Sequence, residues 1–124
     1  MNPNALPDKI KEAGRFCCWR YEQRNDKQTK VPYHPITGER AKSNDPDSFT
    51  GFQDAIVALN NGSMDGLGIG MMNGVCAIDL DHCIDDNGTY SLIAREIVDL
   101  MHSYTERSPS GKGLHILFEA KDFA

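Results

Sequence analysis

The chain has 124 residues, enough for one domain with a modest core. Its net charge of −5 argues against strong nonspecific binding to duplex nucleic acid, and no apolar run approaches the ~18 residues of a membrane helix. The N-terminus is too polar for a secretory signal. With no Cys-x-x-Cys pair, Cys17, Cys18, Cys76 and Cys83 read as reduced thiols of a cytoplasmic protein with no membrane partner.

In chain order, residues 8–13 predict a short helix stopped by Gly14. Residues 15–23, rich in aromatic residues and cysteine, and residues 28–33 predict a hairpin about the turn at 24–27. A helix is expected over residues 51–59, where Phe52, Ala55, Ile56 and Leu59 share a face. Residues 66–72 predict a third strand, turned by Asn73-Gly74 into a fourth at 75–83. Asp85-Asp86-Asn87-Gly88 is a loop, and a helix is expected over 91–102 with Leu92, Ile93, Ile97, Leu100 and Met101 inward. Strands at 105–108 and 114–118 complete the order ββαββαββ, an α+β sheet domain.

The fourth strand carries the chemistry. Strand side chains alternate faces, so Cys76, Ile78 and Leu80 point to a core while Asp79 and Asp81 stand together on the other face. Their backbones lie about 6–7 Å apart along the strand. Two carboxylates that close repel each other, and a hard divalent cation between them, Mg²⁺ or Mn²⁺, relieves the repulsion. The plainer reading is an acidic solvated face.

Near the end the chain reads Ser108-Pro109-Ser110-Gly111-Lys112-Gly113-Leu114-His115. Serine, proline and glycine make a turn whose N–H groups are expected to converge on an anion, with Lys112 adding a charge. His115 starts the following strand on the face opposite Leu114, Ile116 and Phe118. The loop lacks the P-loop spacing and leads into a strand rather than a helix.

Gly66, Gly68 and Gly70 share one face of the third strand, which the predicted turn sets beside the carboxylate strand. They either leave room for a base or sugar or mark tight strand packing. Trp19 and Tyr21 share a face and could stack a base, or Trp19 packs in a core. Charge is uneven: residues 1–44 hold nine Lys/Arg against five acids, and residues 45–124 four against thirteen. A basic front half suits phosphates and an acidic rear half suits cations.

These segments carry a family resemblance. Asp79-x-Asp81 resembles the first motif of the archaeo-eukaryotic primase (AEP) superfamily, and Ser108 to His115 resembles its second. Cys18-Trp19-Arg20-Tyr21, Lys30-Val31-Pro32-Tyr33-His34-Pro35 and Ala41-Lys42-Ser43-Asn44-Asp45-Pro46 are similar to the N-terminal part of primase-polymerases from phages, plasmids and other mobile elements. The resemblance runs from about Arg15 to Phe118.

It implies a prim-pol-like α+β core, with a mixed or antiparallel sheet and flanking helices, that acts as a DNA primase/polymerase by metal-dependent nucleotidyl transfer. Asp79, Asp81 and His115 would be catalytic, with Mg²⁺ or Mn²⁺ on Asp79 and Asp81. Lys30, Lys42, Ser110, Lys112 and His115 would bind nucleotide. The implied partners are an NTP or dNTP, a single-stranded DNA template or primer-template, and a helicase domain or other replication subunit. The superfamily's third motif, a further carboxylate on a later strand, is not recognisable. Glu119 shares the parity of His115, and Asp122 follows. Residues 1–124 are therefore expected to be a single, shortened prim-pol-like domain or the N-terminal fragment of one. Two other classes stay open: a non-catalytic nucleotide- or single-stranded-DNA-binding module of a replication protein, and a Mg²⁺-dependent nuclease.

Overall fold

The structure, a computed structural model, describes residues 1–119. The chain divides into two compact units, Met1–Asn73 and Gly74–Ala124.

In the first unit, helix α1 (Asp8–Ala13) ends where Gly14 donates its N–H to the Ile10 carbonyl at 2.8 Å. Only glycine fits there, because a Cβ would come within 2.6 Å of that carbonyl oxygen and 2.8 Å of the Phe16 ring. Strands β1 (Phe16–Arg24) and β2 (Lys27–Tyr33) form the expected hairpin. Asn25 and Asp26, both at positive φ, make its two-residue turn, and their twist matches that of the strands. Helix α2 (Phe52–Asn60) packs on one face of β1. Phe16 meets Phe52 edge to face at 5.3 Å, and the Cys18 thiol donates to the Ala55 carbonyl at 3.4 Å. Phe16, Cys18 and Ala55 are fully buried in this core.

Strand β3 (Gly66–Ile69) pairs antiparallel with β1, giving the order β2-β1-β3. This corrects the expected hairpin between the glycine strand and the carboxylate strand. Asn73 and Gly74 do take positive φ. However, β3 stops at Ile69 and Gly70 donates its N–H to Arg15, so residues 70–74 form a five-residue connection, and β3 uses the edge that β1 offers.

The second unit is a three-stranded antiparallel sheet of order β4-β6-β5, built from β4 (Val75–Leu80), β5 (Tyr104–Arg107) and β6 (Leu114–Glu119). Helix α3 (Leu92–Met101) begins at Ser91, whose Oγ accepts the Ala94 N–H, and ends at His102 in the left-handed region. Its buried residue is Ala94, and Cys83, Ile84 and Leu114 complete the core with Leu80, Tyr90 and Val98 against it. The inward face differs from the expected one. Leu92, Ile93 and Leu100 are 74%, 69% and 79% exposed, while Ile97 and Met101 are half-buried. The helix carries two apolar stripes, and the one centred on small Ala94 meets the sheet because it allows the closest approach.

Candidate active site

Strand β4 splits its residues as alternation requires. Ile78 and Leu80 lie opposite Ile116 and Leu114, both fully buried. Asp79 lies opposite His115, and His115 in turn lies opposite Glu106 on β5. Cross-strand partners share a face, so Asp79, His115 and Glu106 form a row across the three strands. His115 Nε2 stands 3.8 Å from Asp79 Oδ1, and its Nδ1 stands 3.4 Å from Glu106 Oε1. The Tyr104 hydroxyl donates to the other Glu106 oxygen at 2.9 Å. A carboxylate accepts, so this contact favours the proton on Nδ1 and turns Nε2 toward Asp79.

Asp81 follows just past the end of β4, and both aspartates are exposed. The chain turns at once, with His82 at φ 52°. Cys83 and Ile84 then donate their N–H groups to the Lys112 carbonyl at 2.8 and 3.0 Å. These two bonds tie the serine–lysine loop to the acidic end of β4. Gly113 is where the two approach most closely. A Cβ there would lie 2.7 Å from the Leu80 carbonyl and 3.6 Å from the Asp81 Cα.

The loop does not form the expected nest of N–H groups. Gly111 donates to the Ser108 carbonyl, Lys112 to Ser110 Oγ, and Gly113 to Ser108 Oγ. Ser108 and Ser110 also bond to each other at 3.0 Å. The serines satisfy the loop's own backbone, which makes it rigid and spends these donors. The exposed Lys112 and Ser110 side chains are what the loop offers an anion, one residue pair away from half-buried His115.

The second unit thus carries Asp79, Asp81, His115, Ser110 and Lys112, with Asp79 and His115 side by side. Lys30 and Lys42 belong to the first unit, both exposed. Glu119 is buried opposite Val75, four residues along β6 from His115, about 13 Å in strand rise. That distance removes it as a stand-in third ligand. Asp122 lies outside the described residues. Among the described residues, no group of three His, Cys, Asp or Glu side chains is placed to hold a metal ion. Asp79 and Asp81 still suit Mg²⁺ or Mn²⁺ in donor type: hard oxygens, open to solvent, two in number. One or two carboxylates plus substrate phosphates is how Mg²⁺ is commonly held.

The glycine strand does not open a space for nucleotide. A Cβ on Gly66 would meet the Trp19 ring at 2.3 Å, and one on Gly68 would meet Cys17 Sγ at 2.8 Å. Tight packing is the correct reading.

No family model matches the chain. It is 35% identical over 115 residues to a protein described as a DNA primase-polymerase from Nitratiruptor phage NrS-1, a match covering 90% of this chain. The chain is related to a phage primase-polymerase. It spans 16% of that relative's length.

Glu106 is the site residue that sequence reasoning missed. The resemblance implies a further carboxylate after His115, whereas Glu106 precedes it, on the strand entering the serine–lysine loop. The available signal was parity: Glu106 and His115 flank the loop at positions that an antiparallel hairpin sets opposite each other. One strand, β6, lies between Glu106 and Asp79, two strand spacings or about 10 Å between backbones, so Glu106 reaches His115 and not Asp79.

Proposed function

We propose that the chain is part of a primase-polymerase catalytic core and that its second unit holds the nucleotide. The reaction is nucleotidyl transfer: a primer 3′-oxygen bonds the α-phosphorus of an incoming NTP or dNTP, and pyrophosphate leaves. Catalysis of this kind is mostly positioning and charge neutralisation. Asp79 and Asp81 would hold Mg²⁺ or Mn²⁺, which supplies positive charge to the phosphates when bound. His115, oriented by Glu106, faces the ligand from the side it shares with Asp79, and Lys112 and Ser110 grip the outer phosphates. Lys30 and Lys42 are assigned to template or nucleotide phosphates by resemblance alone.

The observation that carries this reading is the pairing of Asp79 with His115 across β4 and β6, in a chain related to a phage primase-polymerase. Calorimetry with Mn²⁺ and a dNTP tests it. Binding should require the metal and vanish in Asp79→Ala and Asp81→Ala. Equal affinity with and without metal would refute the site.

A second reading has one observation behind it. Among the described residues no third ligand joins Asp79 and Asp81, and a two-metal transfer needs more acidic ligands than two. A module that binds nucleotide without catalysis fits that geometry. Metal-dependent primer extension by the chain would exclude it.

A further inference from the structure

The first unit presents a ring pair that its core does not use. On β1 the residues alternate: Phe16 and Cys18 face α2, whereas Trp19 and Tyr21 face the other way. The Trp19 ring lies flat over Gly66, its cross-strand partner, and its indole N–H donates to the Leu67 carbonyl at 3.1 Å. The indole is therefore fixed at its rim and supported from below. Tyr21 stands edge to face against it, with centroids 5.0 Å apart, and is 42% exposed. Lys30, opposite Tyr21 on β2, sets its ammonium 4.2 Å from the Trp19 ring centroid.

Charges of both signs flank the rings. Glu22 points to the opposite face, where Arg20 and Arg40 pair with it. The Asp65 carboxylate at the sheet edge accepts the Tyr21 backbone N–H at 2.8 Å. Lys30 is the cation over the indole, flanked along the two strands by Gln23, Gln28 and Pro32.

We infer that Trp19, Tyr21 and Lys30 form a stacking site for single-stranded nucleic acid. A base would stack on the ring pair, and Lys30 would swing from the indole to the adjoining phosphate. Rings supply sequence-tolerant stacking, and a single cation tracks the backbone. A duplex keeps its bases paired and offers the rings nothing to stack on. The inference does not depend on the aspartates or on a metal.

Trp19 is the sole tryptophan of the chain, so its fluorescence reports directly on this site. The test is titration with a thymidine oligonucleotide of about 12 residues in EDTA, where metal-dependent nucleotide binding is silent. Saturable quenching is expected, weakened about tenfold by Tyr21→Ala. Lys30→Gln should lower the salt slope of the affinity by about 0.7, one phosphate contact on a single strand. A duplex of equal length should quench far less. Unchanged tryptophan emission on adding the single strand, wild-type affinity in Tyr21→Ala with its fold confirmed by circular dichroism, or equal quenching by the duplex would each overturn the site.

Discussion

His115 sits directly opposite Asp79 across β4 and β6, with its Nε2 3.8 Å from the aspartate Oδ1. The separation is too long for a direct hydrogen bond and short enough for both groups to face one ligand. We expect His115→Ala to weaken dNTP binding about tenfold, the loss of one hydrogen bond. Mn²⁺ binding should stay nearly intact. Calorimetry with metal alone, then with nucleotide, separates the two, and a variant that lost metal but kept nucleotide would reverse the assigned roles.

Glu106 acts on His115 as a positioning residue. In Glu106→Gln the amide can offer either its oxygen or its NH₂ to Nδ1, so the preference for a proton on Nδ1 should fall. Imidazole ¹⁵N shifts would show the change as a mixture of neutral tautomers. Nucleotide affinity should drop less than in His115→Ala. An unchanged tautomer ratio would leave Glu106 with a purely structural role.

Gly113 holds the loop against the acidic strand end. Alanine there meets the Leu80 carbonyl at 2.7 Å, and a strand backbone cannot move away cheaply. We expect Gly113→Ala to cost about 1–3 kcal/mol of stability. It should also reduce nucleotide binding, because Lys112 is carried on the displaced loop. Gly74→Ala makes a useful contrast: its Cβ meets nothing, and the cost comes from the residue's φ of 82° alone, about 1–2 kcal/mol. Chemical denaturation of the two variants, read beside nucleotide affinity, tests the difference.

Burial, with Cys18 beside it, pushes the Cys17 thiol up from 9.0 to about 11. A neutral thiol is therefore favoured by the folded state. The resulting stability is fully present below pH 9 and is lost as pH rises from about 9 to 11, where the unfolded chain ionises first. The ceiling on this contribution is roughly 2–3 kcal/mol. Cys17→Ala should flatten the alkaline fall in stability measured by urea unfolding between those pH values, and an equally steep fall in the variant would assign it elsewhere.

Local patterns were legible in the sequence, and long-range pairings were not. Alternation in β4 set Asp79 on the face opposite Ile78 and Leu80, because strand period alone decides it, while Asp81 falls past the strand's end. The β1–β2 hairpin was likewise readable from its turn. The partner of β3 was not, since Asn73-Gly74 is a sound hairpin turn and only the free edge of β1 shows where the glycine strand goes. The inward face of α3 was ambiguous because apolar residues occupy two stripes, and the small Ala94 counted for more than the larger leucines. The serine–lysine loop was placed correctly, but its N–H groups bond to its own serines, a detail of side-chain geometry that composition does not carry.

The central claim is that Asp79, Asp81 and His115 form one metal-dependent nucleotide site. Paramagnetic broadening tests it most directly: Mn²⁺ is added in substoichiometric amounts with a dNTP while the backbone amide spectrum is followed. The amide signals of residues 79–81 and of His115 should broaden first and together, and Asp79→Ala should abolish the effect. Broadening centred on the acidic loop at Asp85 and Asp86, with residues 79–81 and His115 left sharp, would contradict the account.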